Sequence, residues 1–582
     1  MLGICLVSFW ARAQEERGID SLSEVVVSAS LRPVLRSKSA LVIDTYTPAF
    51  LKKNPSPSLF EALQGINGVR PQVNCNVCGT GDIRINGLDG PYTMVTIDGM
   101  PMMSALSTVY GLFGIPNQLI ERIEVVKGPA SSLYGSEAVA GLINIITKKP
   151  GNAPTLAIDA MTTSWQEHLV DLGLRWQAGA KASALTGIHG YHAQQKMDRD
   201  ADGFTDIPLQ SRFSVFQKFQ WQRKQNRLFQ VAGRYFFEDR WGGETRWTKK
   251  WRGSDQIYGE SILTRRVEAL GNYQLPLPEN IQFSFSFNHH EQDSYYGQTH
   301  YKANQQVGLG QLVWYLPLKE NHALLGWSNR FTRYDDNTPA TVHPGSGATK
   351  PERTWLPGLF AQYDGHISTH QEWVLGMRWD YHPVHGSVWT PRLAWRWSPH
   401  PQHNIRVNAG TGFRVVQLFT EDHAALTGAR EVVVLEELKP ERSANLQVQY
   451  AFQQSFNTGY LRAELTGWYT RFSNQILPDY DTDPNKIYYR NLDGKSIAQG
   501  LALNLEYRYR DQFRASLGAT LQDVYRYETS STRQTVKVVP ILTEGWSGVW
   551  QIGYTFPKLR LTVDYTGSIN GAMRLPLLGA LD

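Results

Sequence analysis

Strict period-two alternation of apolar and polar side chains is what most narrows the folding options of this 582-residue chain. Ile281-Gln282-Phe283-Ser284-Phe285-Ser286-Phe287-Asn288 puts every aromatic on one face of an extended strand. Leu501-Ala502-Leu503-Asn504-Leu505-Glu506-Tyr507-Arg508-Tyr509 and Leu559-Arg560-Leu561-Thr562-Val563-Asp564-Tyr565 follow the same rule. In a soluble sandwich the apolar faces pack on each other and strands are usually shorter. In a membrane barrel the apolar face meets lipid and the polar face meets the lumen. Charges such as Glu506 and Arg508 on the polar face suit a lumen. Only helices and closed barrels satisfy every backbone group in hydrocarbon, and beyond the N-terminus no apolar run reaches the roughly 18 residues a spanning helix needs.

The connections alternate too. Leu275-Pro276-Leu277-Pro278-Glu279-Asn280 and Ser398-Pro399-His400-Pro401-Gln402 are tight, whereas residues 238–255 and 335–353 are long and rich in Trp, Tyr, Arg and Asp. Short turns on one rim and long loops on the other characterise outer-membrane barrels. Aromatics make up 12% of the chain, which suits interfacial girdles and equally a secreted β-rich protein. Net charge is only +5 and the bases are scattered, so nothing tracks a phosphate backbone and nucleic-acid binding is excluded.

The N-terminus reads as an export signal over residues 1–13, with a short apolar run and a small-x-small Ala11-Arg12-Ala13. Of the three cysteines, cleavage would leave Cys75 and Cys78, too few to staple the whole fold. Residues 14–35 are polar apart from Glu24-Val25-Val26-Val27-Ser28-Ala29. Residues 36–150 read as a small α/β domain. Ser56 is the expected N-cap and Pro57 the first helical residue of a helix running to Leu63. Strands follow at 82–86, 92–97, 120–127 and 142–147, separated by Gly-rich turns. Residues 151–582 are the barrel.

Ile83-Arg84-Ile85-Asn86-Gly87, Val95-Thr96-Ile97-Asp98-Gly99-Met100-Pro101, the block from Ile120 through Lys127-Gly128-Pro129-Ala130 to Ser136, and Ala138 to Thr147 resemble the plug motifs of TonB-dependent outer-membrane receptors. That family includes vitamin B12 and ferric-siderophore receptors. Thr390-Pro391-Arg392-Leu393, Gly412-Phe413-Arg414 and Leu438 to Asn445 resemble its barrel motifs. The resemblance spans residues 20 to 582. It implies an N-terminal α/β plug inside a large antiparallel transmembrane β-barrel of about 22 strands. It further implies active import across the outer membrane of a Gram-negative cell, driven by TonB and its proton-powered inner-membrane complex.

Within that frame Glu24, Val25, Val26, Val27, Ser28 and Ala29 resemble a TonB box. A short β-prone segment in polar surroundings suits strand addition to a partner's sheet edge; the alternative is the first strand of the plug itself. Arg84, Arg122 and Glu124 lie in plug strands. The family reading pairs plug arginines with barrel glutamates such as Glu441, and the alternative is pairing within the plug. Cys75 and Cys78 fall on a loop that in the family faces ligand, and Met102 and Met103 on the next. These soft ligands suit Cu(I), while a local disulfide is the other reading. Trp241, Trp247, Trp251, Tyr295, Tyr296, His300 and Tyr301 fall in the expected outer loops, where they can stack on ligand or pack against one another.

Asp198, Asp200, Asp202 and Asp206, with Gly203 at the turn, match the start of a calcium loop, although Leu209 stands where an EF-hand has its bidentate Glu. We therefore expect a calcium-ordered outer loop, no other cofactor and no catalytic set. The expected cargo is a ferric siderophore or similar metal complex. Cobalamin, copper or haem are the alternatives within the class; a passive porin or a signalling receptor lie outside it. The chain closes on Leu575 to Asp582 without a terminal aromatic strand. That leads to the expectation of an incomplete barrel of about 16 to 20 strands with an open gap.

Overall fold

The structure is a computed structural model. It describes residues 25–575 except 29, 76, 78, 102–111, 343–347, 422–424, 426–429, 481, 484 and 530–534. Cys78, Met102, Met103, Glu24 and Ala29 therefore lie outside the described residues.

The plug starts with β1 (Val25–Val26) paired antiparallel to β2 (Val34–Leu35). Next come β3 (Ile43–Tyr46), α1 (Pro48–Lys52), α2 (Leu59–Ala62), the hairpin of β4 (Val69–Cys75) and β5 (Thr80–Ile85), β6 (Thr93–Ile97) and β7 (Met100–Pro101). It closes with β8 (Ile120–Lys127), α3 (Ser131–Tyr134) and β9 (Gly141–Thr147). Five of these strands form one mixed sheet in the order β3-β8-β9-β6-β7, with β6 and β9 parallel.

Local chemistry fixes the two short helices. The Thr47 hydroxyl accepts the Phe50 N–H ahead of Pro48, a favoured first helical residue. The cap of α2 is Ser58, whose hydroxyl accepts Glu61 N–H at 3.3 Å. This corrects the expected start at Ser56: that hydroxyl donates instead to the Ser58 carbonyl, and Ser58 holds the extended backbone a cap needs.

The barrel wall is one antiparallel sheet of twenty strands, from Leu156–Thr162 to Leu561–Asn570. Thr535–Val538 and Trp546–Phe556 both lie against Phe513–Thr529. Among the described residues the first and last strands form no pairing with each other. At 281–288 and 501–503 the alternation emerges as expected: Phe283, Phe287, Leu501 and Leu503 are exposed, while Ser284, Ser286, Asn288 and Ala502 are buried. The segment 559–565 departs from it: Leu559 and Arg560 lie in a turn, the strand starts at Leu561, and on this last strand residues 561–565 are all exposed. Three short strands, Glu431–Val434, Ile476–Asp479 and Lys486–Asn491, leave the wall and form a separate small sheet over the rim of long loops.

The plug core joins Phe60, Leu63, Ile85, Val95, Ile123 and Ile143. It continues without a break into wall residues Leu185, Phe216, Phe236 and Leu270. Gly187 on the wall makes room for Leu119, since a Cβ there would come within 2.4 Å of the leucine side chain. The contact between plug and wall is thus partly apolar, not purely polar.

Candidate functional site

The N-terminal segment is docked on the plug. Val26 and Ser28 are buried, and the Glu124 carboxylate accepts Val27 N–H, Ser28 N–H and the Ser28 hydroxyl at 3.0, 2.9 and 2.6 Å. Arg122 holds the same carboxylate through Nε and Nη2 at 2.9 and 2.7 Å. Of the residues expected in a TonB box, Val25 and Val26 thus form a plug strand in this state, and Val27 and Ser28 are tied to the sheet.

The expected pairing of Arg84, Arg122 and Glu124 with the barrel is corrected. Arg122 pairs with Glu121 and Glu124, both in β8. Arg84 pairs with Asp82 and Asp89 of the plug, and among the described residues its hydrogen bonds to the barrel go to neutral acceptors, the Ile541 and Leu542 carbonyls and the Thr543 hydroxyl. Glu441 pairs with Arg414, also on the wall, at 2.6 Å. The arginines find carboxylates closer in sequence, and such short-range pairs need no distant element to be in place.

Other residues carry charge across the interface. Lys218 of the strand Leu209–Trp221 sits 2.9 Å from Asp98 of the plug, both buried. Arg330 meets Glu137, Arg70 meets Glu544, and Lys52 meets Asp159. None of these was singled out from sequence, because the partners lie far apart in the chain. Inside the wall, Glu238 bridges Arg212 and Arg240, and Arg240 reaches the Gly79 carbonyl at 2.7 Å. In the plug, burial alone would raise the Asp44 carboxyl, but Lys127 at 2.9 Å and Arg36 hold it below its ordinary value. Glu61 goes the other way: burial, aided by Glu167, pushes it up to about 7 against the pull of Arg212.

On the rim of long loops the aromatic residues divide. The Trp241 and Trp247 rings meet in a tilted contact with centroids 4.7 Å apart and pack with Leu209, Trp251 and Ile257. Trp247 is 1% exposed, so this pair lies inside its loop's own core and not on an open surface. Tyr295 and His300 stack at 4.4 Å, with His300 near Asp293, on the opposite strand face from buried Tyr296. Tyr296, Tyr301 and Tyr334 do come together, and Cys75 and Phe419 pack against them. The Cys75 thiol donates to Glu260 at 3.4 Å. Beside this cluster a cavity of about 330 Å³ opens between the loops, lined by Tyr334, Glu352, Leu418, Phe419, Val432 and Leu438. The small sheet roofs this side through Ile476, Ile487 and Tyr489. Sequence reasoning missed this roof, whose strands are short and carry no sustained alternation.

The carboxylates of Asp198, Asp200 and Asp206 converge within 4.8 Å of one another. Asp202 is not in that group; its carboxylate accepts Phe204 N–H at 2.7 Å. The loop is braced to its neighbour, since Lys196 donates to the Thr245 and Trp247 carbonyls at 2.7 and 2.9 Å.

Residues 36–142 match the TonB-dependent receptor plug domain, and residues 159–574 match the TonB dependent receptor-like β-barrel. Over 481 residues the chain is 25% identical to an iron-regulated outer membrane virulence protein of Vibrio cholerae serotype O1, covering 78% of this chain and 69% of that protein. It is 33% identical to the ferric enterobactin receptor PirA of Pseudomonas aeruginosa over 220 residues, 34% of this chain and 30% of that one. The solved siderophore receptor PirA from Pseudomonas aeruginosa superposes with a TM-score of 0.68 at 17% identity, over 91% and 90% of the two chains. A ferric enterobactin receptor from the same organism, in complex with enterobactin, gives 0.70 at 15% identity, over 92% and 87%. At such identities the superpositions establish the fold. With both domains matched over most of its length, the chain belongs to the TonB-dependent receptor family, as a plug seated in a β-barrel of the outer membrane.

Proposed function

We propose that the chain imports a ferric siderophore, or a closely similar metal chelate, across the outer membrane in a TonB-dependent cycle. The observation that carries the cargo is the likeness, over 78% of the chain, to an iron-regulated outer-membrane protein. The architecture supports the transport step. A folded plug fills the lumen between a loop-lined cavity on one rim and a docked N-terminal strand on the plug.

Residues 24–29 are the TonB contact in this reading. The short strand leaves its place beside β2 and adds to the partner's sheet edge, where backbone hydrogen bonds supply affinity. TonB then pulls on the plug. Contacts such as Arg84 to the Leu542 carbonyl and Arg240 to the Gly79 carbonyl are replaceable by water. Breaking these two contacts strands no bare charge, whereas ion pairs such as Lys218–Asp98 and Arg70–Glu544 hold the plug in its seat. The step transports cargo and makes or breaks no covalent bond.

Calcium completes the reading at the outer loops. Asp198, Asp200 and Asp206 supply hard oxygen ligands of the kind calcium takes. Its binding would fix the loop that braces Trp247. Growth of a deletion strain on defined ferric siderophores tests the cargo. Rescue by the receptor gene on at least one of them supports it. Equal growth with and without the gene on every ferric source tested counts against it.

A further inference from the structure

The Glu124 contact is one end of a longer chain of buried polar groups. Asn144 sits in β9 with no exposure, and its side-chain amide faces two segments at once. The carbonyl oxygen Oδ1 accepts the Thr96 hydroxyl at 2.8 Å and Gly99 N–H at 2.9 Å. The amide nitrogen Nδ2 donates to the Ser28 hydroxyl oxygen at 3.0 Å. That hydroxyl in turn donates to Glu124 at 2.6 Å.

The other end of the chain is a built feature. Asp98 and Gly99 both have positive φ, 50° and 79°, as a tight hairpin turn between β6 and β7 demands. The Asp98 carboxylate accepts Thr147 N–H at 2.8 Å and the Thr147 hydroxyl at 2.7 Å, and it pairs with wall Lys218. The turn is therefore anchored to the barrel wall on one side and to Asn144 on the other. It leads directly into β7 (Met100–Pro101), whose Pro101 carbonyl accepts the wall Ser286 hydroxyl at 2.9 Å.

We propose that Asn144 is a positioning residue that couples the Asp98–Gly99 turn to the docking of residues 25–28. An amide is suited to the task because it accepts from the turn and donates to Ser28 with one rigid group. When the turn shifts, Gly99 N–H leaves Oδ1, and the amide loses the orientation that fixes Ser28. Ser28 then ceases to present its hydroxyl to Glu124, and the N-terminal strand leaves the plug. Inside a protein, such a chain fails as a unit, because each buried group left unpaired carries its own desolvation cost. The inference rests on reading residues 24–29 as the TonB contact.

The test uses the full receptor with a spin label at Val25→Cys, an exposed position, on a Cys75→Ser, Cys78→Ser background. No chelate is added, and the purified periplasmic domain of TonB is the binding probe. Asn144→Ala and Ser28→Ala are each expected to mobilise the label and raise affinity for the TonB domain, within the roughly 5- to 150-fold range of coupled sites. The double variant is expected to add little to either.

Gly99→Ala acts at the far end. A Cβ there meets nothing within 4 Å, so only the backbone strain of its positive φ is changed. It is expected to mobilise the label when Asn144 is present and to add nothing when Asn144→Ala is already in place. A label that stays immobile in both Gly99→Ala and Asn144→Ala, while Glu124→Gln frees it, overturns the coupling. Additive effects of Gly99→Ala and Asn144→Ala overturn it as well. A label freed with no gain in TonB-domain affinity leaves the coupling standing and removes the reading of residues 24–29.

Discussion

Glu441 of the barrel wall accepts the Tyr92 hydroxyl of the plug at 3.0 Å while Arg414, also on the wall, closes on its other oxygen. The carboxylate's charge is balanced within the wall, and the plug contributes only a neutral donor. If the plug moves, the ion pair survives intact. Arg84 meets the wall in the same fashion, with its charge balanced by plug residues Asp82 and Asp89. Both are compatible with a plug that is firmly seated yet rearranges.

Tyr92→Phe should consequently be mild. Glu441 keeps Arg414 and the Ile476 N–H at 2.8 Å, and Gln475 alone loses its acceptor. The expected cost is about 1 kcal/mol, the net worth of a typical hydrogen bond. Hydrogen exchange across residues 85–97 should quicken slightly, with transport retained. A loss of folding would show that Tyr92 does more than donate.

Lys218→Met should be harsher. It leaves Asp98 buried beside Thr147 without its cation, and breaking one side of a buried pair costs about 3–5 kcal/mol. Exchange in β6 and β9 should accelerate well beyond the Tyr92→Phe variant. Adding Asp98→Asn should recover part of the loss. If the single and double variants exchange alike, the pair does not seat the plug.

Glu61 predicts a pH effect of defined sign. Burial, together with Glu167, raises its folded-state value to about 7 from the ordinary 4.5. Between those values the folded chain binds more protons than the unfolded one, so stability falls as pH climbs through the window. The contribution is fully present below pH 4.5 and lost above about 7. Glu61→Gln, which cannot ionise, should melt higher than the parent at pH 8 and much like it at pH 4. Equal melting at both pH values would show that Glu61 feels no such burial.

Much of this molecule is legible in its sequence. Alternation at 281–288 and 501–509 identifies wall strands, because lipid and lumen impose opposite demands on successive side chains. The Ile120–Lys127 strand emerges with the bounds its apolar run indicates. What stays hidden are relationships set by distant partners. Lys218 and Asp98 lie 120 positions apart, and nothing local to either marks the other. Arg84 and Arg122 invite a barrel partner in sequence, yet nearer carboxylates capture them. Trp241 and Trp247 look like ligand-facing aromatics until their loop is seen to fold on itself.

The calcium reading gives a direct outcome at the same loops. Removing calcium should speed proteolysis within residues 196–206 and, through Lys196, around Trp247. Asp200→Asn should be cut as fast with calcium as without it. Identical digestion of the parent protein in calcium and in chelator would remove the site.

Energised import of a ferric chelate is measured by uptake of radiolabelled iron in whole cells. A deletion strain carrying the receptor gene is supplied with a ferric siderophore and compared with the same cells lacking TonB or treated to collapse the proton gradient. Energised import makes uptake depend on the receptor and stop in both controls. Uptake that persists without TonB, or that is unchanged by deleting the receptor, would contradict it.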